Sequence, residues 1–315
     1  MYEVFEMVDG RPVPTEEMKD NVWINMVRPT PEEIDEVCAF LNVGRECLTA
    51  ALDDEEGSRL EMQEDYSLIL IDAPATEVRN QRDEYATYPL SITVTSNAVV
   101  TVCLQKLSAV SSLIGGKSKA INTINVEKRT RFALQILFRI ALQYQSYLKV
   151  IEKKRAIIEA SIRNTTQRND LFELHEMESN LVYFKTSLSV NQSVMERLSK
   201  QYKFITEQED RDLMDDVIIE TNQALEMTMT YSQIIKGTRQ LVESDINNSL
   251  AQVMKFLTSI TLVISIPTML SGIYGMNFEN MPLLGYKWGF WITIAVMVVA
   301  CLIAVEYMRK RNMWR

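Results

Sequence analysis

Histidine and cysteine are scarce in this chain, with one His and four Cys among 315 residues. A zinc centre built on imidazole or thiolate is nearly excluded by that scarcity, and so is a disulfide-stapled secreted scaffold. Basic side chains are outnumbered, 33 against 42 acidic ones, for a formal net charge of −9. The balance argues against nucleic acid and for cationic partners. No catalytic constellation is visible: the sole histidine, His175, sits in a helical stretch among Glu173, Glu176 and Glu178, so the chain reads as a non-enzyme. Charge itself nearly disappears toward the C-terminus. Residues 256–315 hold two acids (Glu279, Glu306) and five bases, which leaves 40 acids and 28 bases in residues 1–255.

Two long uncharged runs occupy that C-terminal part. Residues 256–278 are 23 in number without a charge, which as a helix is about 35 Å, enough to cross a hydrocarbon core of about 30 Å. Residues 288–305 add 18 more, with Trp288 and Trp291 as an aromatic belt at one interface. Arg309, Lys310, Arg311 and Arg315 follow the second run, so the positive-inside rule places the C-terminus in the cytosol, and a two-span hairpin returns the N-terminus to the same side. Residues 1–8 include Glu3 and Glu6 and lack an apolar signal core. The expected location is a cell (inner or plasma) membrane, with the acidic body in the cytosol and Cys38, Cys47, Cys103 and Cys301 reduced.

The cytosolic chain changes character once. Residues 1–126 mix signals as an α/β domain. Short strands are expected at 2–8 and 22–27, with paired strands around 60–71 and 91–104. Thr30-Pro31-Glu32-Glu33 supplies a hydroxyl N-cap, a proline in the first turn and acids at the helix start, ahead of an apolar face of Ile34, Val37, Cys38 and Leu41. Residues 127–208 read as an antiparallel helical hairpin. Its first helix carries Phe132, Ile136, Ile140, Tyr144, Tyr147 and Ile151 at helical spacing and reaches about Ile162; its second runs from about Asp170 to Phe204. From 209 to 255 a stalk begins, and between Glu209 and Ile266 there is no proline and one glycine, Gly237. The helix therefore continues unbroken into the first membrane span. Leu213, Val217, Ala224, Met227, Tyr231, Ile234 and Leu241 keep a spacing near 3.5 residues, interrupted by Thr, Ser and Asn. A lone helix of this length is poorly stable in water, so it packs on copies of itself or on the hairpin. Two spans cannot enclose a pathway, whereas several copies can; a homo-oligomer is expected. The fold class is thus an α+β membrane protein: span one at 256–278, an extracellular loop at 279–287, span two at 288–307 and a basic tail at 308–315.

The first span has two chemically distinct sides. Thr261, Ser265, Thr268 and Gly272 fall within about 60° of one another on a helical wheel, and Met254, Leu257 and Thr258 extend the stripe; Leu262, Val263, Leu270 and Ile273 lie opposite. Such a stripe allows close helix packing and equally lines a pore with neutral oxygens. At its outer end stands Tyr274-Gly275-Met276-Asn277-Phe278. Asparagine offers a neutral amide oxygen, and copies around an axis make a ring of acceptors. A ring of that kind can hold a hydrated cation through its waters.

This arrangement resembles the CorA family of divalent cation channels, whose signature is Gly-Met-Asn after the first of two C-terminal spans. The resemblance implies passive Mg²⁺ uptake, with Co²⁺ or Ni²⁺ also passing, through a pentamer in the lipid bilayer. It implies a filter at Gly275, Met276 and Asn277, deeper pore positions at Thr268 and Gly272, and a loop acid at Glu279. It also implies regulation by cytosolic Mg²⁺ bridging protomers, for which Asp212, Asp215 and Asp216 are the candidates; Asp53, Asp54, Glu55 and Glu56 form another acidic cluster. The chain departs from the family where Leu283 and Leu284 follow Pro282 in place of an acid, where Ser265 takes the inner gate position, and where Ala251 replaces an asparagine, with Asn247 on the extrapolated pore face. The gate then falls to Met254 and Leu257. Alternatives are zinc transport within the same superfamily and a non-conducting membrane-anchored coiled-coil scaffold. Gly115-Gly116-Lys117-Ser118 mimics the end of a nucleotide-binding loop but lacks its first glycine, so no nucleotide is expected. The basic stretch 117–168 is read as pairing with acidic helices rather than with RNA.

Overall fold

Tryptophan 23 lies at the centre of the N-terminal domain, fully buried, stacked on Phe5 and edge-on to Phe132. Its indole N–H donates to Thr101 Oγ1 at 2.9 Å, and that hydroxyl donates in turn to Asn25 Oδ1 at 2.9 Å. The polar edge of the largest core residue is thereby satisfied inside the sheet. A computed structural model describes residues 2–8, 11–53, 56–79, 82–114, 126, 128–162, 168–277, 281–283 and 285–310. The described residues form seven strands: β1 (Tyr2–Val8), β2 (Arg11–Thr15), β3 (Val22–Val27), β4 (Arg59–Met62), β5 (Tyr66–Arg79), β6 (Arg82–Thr95) and β7 (Ala98–Cys103). They make one sheet in the order β2-β1-β3-β7-β6-β5-β4, in which β3 and β7 are parallel and the other neighbours antiparallel.

The helices are α1 (Pro31–Leu41), α2 (Glu46–Thr49), α3 (Ser108–Ile114), α4 (Arg129–Ile162), α5 (Arg168–Leu198), α6 (Gln208–Tyr274) and α7 (Gly289–Lys310), with a 3-10 turn at Ala50–Leu52. The start of α1 is a capping box: the Glu33 N–H donates to Thr30 Oγ1 and the Thr30 N–H to Glu33 Oε2. Ile34, Val37, Cys38 and Leu41 are its buried face. Phe132, Ile136, Ile140, Tyr144, Tyr147 and Ile151 are all buried along α4. Contacts group residues 1–163 with 167–239 into one compact unit and residues 240–315 into another.

Two expectations need correction, and one strand, β2, goes beyond them. The second hairpin helix stops at Leu198 rather than near Phe204, because the chain turns there and buries Phe204 and Ile205. Strand β2 carries two prolines, Pro12 and Pro14, and sits at the sheet edge, where a missing N–H costs nothing. The buried face of α6 is only partly the expected one: Val217 and Ala224 are buried as expected and Tyr231 is half-buried. Ile234 and Leu241 are exposed, whereas Met214, Val217, Thr221, Ala224, Thr228, Ile235, Thr238 and Val242 are buried. Those positions alternate steps of three and four, apart from the half-buried Tyr231, and threonines complete the seam. Thr221, Thr228 and Thr238 each donate to the carbonyl four residues back, at 2.7, 2.7 and 3.1 Å, so only their methyl groups and satisfied oxygens face the packing.

Side chains fasten the first part of α6 to the hairpin. Arg131 Nε donates to the buried Asp210 at 2.7 Å, Gln145 donates to Glu220 at 2.6 Å, and the buried Arg155 donates to Thr238 Oγ1 at 3.0 Å. The basic face of α4 therefore does meet acids, with Lys128 also 2.6 Å from Glu207. On the sheet side, Asp72 is half-buried, and burial pushes its carboxyl above the ordinary value while Ser187 and Ser58 pull the other way. A folded state that binds this proton more tightly than the unfolded chain keeps that stability below the unfolded value, about 3.9, and loses it as pH rises from there through the raised folded value. Asp72→Asn should accordingly raise the unfolding temperature at pH 7, with the gain disappearing below about pH 4; an equal gain at both pH values would contradict that assignment.

Candidate functional site

The C-terminal part of α6 presents its two faces very differently within residues 240–315. Ser259 is fully buried, and Val263 and Leu270, on the same face, are half-buried. Thr261, Ser265 and Gly272 each stand two residues further on, about 200° around a helix, and are exposed, as is Thr268. Met254 and Leu257 continue this bare face with 60% and 56% of their surface exposed. The buried side meets α7: Cys301 Sγ donates to the Val263 carbonyl at 3.9 Å. That carbonyl lies four residues before Pro267, the one proline inside α6, and a proline has no N–H to donate to it. The thiol thus occupies the place of the missing donor, which is how membrane helices commonly tolerate an internal proline. Of the positions expected opposite the stripe, Val263 and Leu270 fit, while Leu262 and Ile273 remain exposed at 47% and 44%.

The hydroxyls of the bare stripe have their protons committed. Thr261 donates to Leu257 O at 2.9 Å, Ser265 to Leu262 O at 2.8 Å and Thr268 to Ile264 O at 2.9 Å. What each hydroxyl turns outward is an oxygen with free lone pairs. A hydrated cation presents outward-pointing water hydrogens, so acceptors of this kind suit it. A Cβ placed on Gly272 would meet nothing within 4 Å, so no contact within the chain demands glycine there.

Helical hydrogen bonding ends through the motif: the Gly275 N–H donates to Ser271 O at 2.9 Å and the Met276 N–H to Ile273 O at 3.2 Å. Asn277 follows outside the helix and is exposed. Glu279 and Leu284 lie outside the described residues, as do Asp54, Glu55 and the Gly115–Ser118 motif. The returning segment is anchored by Tyr274, whose hydroxyl donates to Pro282 O at 3.3 Å, and by a left-handed residue, Leu283, with φ of 71°.

The acids at the head of α6 separate into two sets. Glu209 and Asp210 pair with Arg131, and Glu220 accepts from Gln145. Asp212, Asp215 and Asp216 stay exposed, with Asp212 accepting from Gln208 at 2.8 Å. Among the described residues no group of three or more His, Cys, Asp or Glu is arranged to hold a metal. Any cation held by Asp212, Asp215 and Asp216 would need ligands from another copy. Cys47, buried and donating to Gly44 O, has its thiol pushed up to about 12 by desolvation, which marks it as a structural group and not a ligand.

The described chain joins a large α/β domain to two helices long and apolar enough to cross a membrane, one of them the 67-residue α6. The chain belongs to the family described as CorA-like Mg²⁺ transporter protein, whose model matches residues 18–310. It is 31% identical over 298 residues to the cobalt/magnesium transport protein CorA of Methanocaldococcus jannaschii, spanning 93% of this chain and 91% of that one. It is 25% identical over 302 residues to the protein of the same description from Thermotoga maritima, covering 95% and 85% of the two chains. The solved structure of the complete Methanocaldococcus jannaschii CorA magnesium transporter superposes with a TM-score of 0.82 at 27% identity, over 100% of this chain and 99% of that one. Full-length CmaX shares the fold, with a TM-score of 0.71 at 13% identity.

Proposed function

We propose that this chain forms a homo-oligomeric channel, five copies by the family resemblance, that admits Mg²⁺, and Co²⁺ with it, into the cell. The observation that carries this reading is the exposed stripe of proton-committed hydroxyls on α6 that leads to Asn277, on the face turned away from α7. Family membership and the printed descriptions of the relatives, cobalt and magnesium transport, support the choice of ion. In the assembly the Asn277 amide oxygens form a ring that receives the hydrated ion, and Met276 and Gly275 set the backbone behind it. Both termini lie in the cytosol, so the membrane potential drives entry: about 4.6 kcal/mol for a divalent ion crossing 100 mV, twice the single-charge value.

The discriminating experiment is Mg²⁺ flux into proteoliposomes. Asn277→Ala should reduce flux about tenfold or more, the equivalent of roughly 1.4 kcal/mol at the entry step. Equal flux in both proteins would reject the filter, and none in either would favour a non-conducting scaffold. Met254 and Leu257 form the hydrophobic constriction, which closes by excluding water. Leu257→Ala should raise resting flux severalfold at high cytosolic Mg²⁺, and unchanged resting flux would remove Leu257 from the gate. Cytosolic Mg²⁺ closes the channel by neutralising Asp212, Asp215 and Asp216 against a neighbouring copy, since facing carboxylates repel until a divalent ion intervenes.

A further inference from the structure

Behind the motif, between the outer ends of α6 and α7, lies a cavity of about 670 Å³, lined among the described residues by parts of 270–275 and 283–297. Its lining changes with depth. The half-buried Leu270, Ile294 and Met297 supply an apolar floor, while Tyr286 and the exposed Lys287 stand at the rim and Gly275 of the motif forms part of the wall. Ile294 is seven residues beyond Lys287, about 10 Å further along α7. Trp288, Phe290 and Trp291 are 65%, 70% and 63% exposed beside that rim, the pattern that marks the headgroup level of a bilayer.

We infer that this cavity binds an anionic phospholipid, with its phosphate on the Lys287 ammonium and an acyl chain on the Leu270–Ile294 floor. The two-part lining selects the occupant. A neighbouring copy would bring the uncharged helix surfaces of residues 256–278 and 288–305, which fit the floor, and a single loop acid, Glu279, so a lipid and a second copy are told apart by the test below. An amphiphile of opposite charge fits both floor and rim. The volume is in the usual range for a small-molecule site. The leaflet, that of the outer face, rests on the topology given under Proposed function; the binding itself does not. A lipid so placed touches the wall formed by Gly275 and thereby supports the filter from behind.

The test uses the full-length protein in neutral detergent, with phosphatidylglycerol or phosphatidylcholine added, read by native mass spectrometry and by unfolding temperature. Phosphatidylglycerol should remain bound at one molecule per protomer and raise the unfolding temperature, and phosphatidylcholine should do neither. Lys287→Gln should weaken retention about fivefold, the equivalent of ~1 kcal/mol for one cation at a membrane surface. Ile294→Trp, which fills the floor and keeps the charge, should also release the lipid, whereas Lys310→Gln at the opposite end should retain it. Absence of bound lipid in the native chain, equal retention of both lipids, or native-like retention in Lys287→Gln and Ile294→Trp would each overturn the assignment. Asn277→Ala should keep the lipid while losing flux, so failure of the filter and failure of the lipid site give different results.

Discussion

Gly289→Ala should reduce flux to the background of empty vesicles and lower the yield of assembled protein, although position 289 belongs to no recognised motif. Gly289 opens α7 and is buried, and its N–H donates to Tyr286 O at 2.9 Å. A Cβ built there would stand 2.1 Å from the Leu283 carbonyl oxygen and 3.1 Å from its carbon. Both are backbone atoms, so no side-chain rotation relieves the overlap, and the loop must move. Leu283 already holds a left-handed conformation, and Pro282 just before it accepts the Tyr274 hydroxyl at the end of α6. Displacing Leu283 therefore pulls on the residue that immediately precedes the Gly-Met-Asn motif. Gly285→Ala, where a Cβ would meet nothing within 4 Å, is the matched control and should behave as the native protein. Native flux in Gly289→Ala would show that the loop between the spans does not fix the filter.

Asn191→Leu should destabilise the N-terminal domain by about 3 kcal/mol, seen as a fall of several degrees in its thermal transition by near-ultraviolet circular dichroism. The physical reason lies where β4 ends. β4 pairs with β5 only over residues 67–70, so beyond Ile71 the outer edge of β5 has no strand beside it. Asn191, on α5 and 3% exposed, takes the place of that strand. Its side-chain oxygen accepts the Asp72 N–H at 3.0 Å and its amide donates to Asp72 O at 2.8 Å, joined there by the Tyr144 hydroxyl at 3.0 Å. Leucine of similar size fills the volume and leaves a buried peptide N–H without its partner, the costlier kind of loss. Tyr144→Phe should cost less, because Asn191 still donates to the same carbonyl.

The same edge explains part of what could be read beforehand. Strand signals stop near Ile71 because Pro74 and Pro89 demote the residues around them, yet β5 and β6 continue as a 14-residue pair to Arg79 and Arg82. Both prolines fall where the outer neighbour has ended, since β6 meets β7 only from Leu90 onward, so neither breaks a ladder on that side. Local signals served well where they were self-contained: the Thr30 capping box and the α4 stripe depend only on residues three or four apart. The packing face of α6 was legible at Val217 and Ala224 and not elsewhere, because threonine counts as polar in a periodicity pattern, while Thr221, Thr228 and Thr238 are made less polar by bonds to their own helix. In the candidate site, the motif and the hydroxyl stripe are visible as residue types. The role of Gly289 is not, because it depends on the path of a carbonyl six residues away. Asp212, Asp215 and Asp216 are legible as acids at helical spacing, and they stand exposed on α6.

The threonine seam has a mechanical corollary. Alternating steps of three and four average 3.5 residues per turn, and a straight α-helix lags such a pattern by about 20° every seven residues. From Met214 to Val242 the seam covers four heptads, so keeping it against its neighbours winds the rod left-handedly by roughly 80° in total. Tightening or loosening that winding would carry Thr221, Thr228 and Thr238 off the surface they pack on, so the seam holds the pitch of the rod as a nut holds a thread.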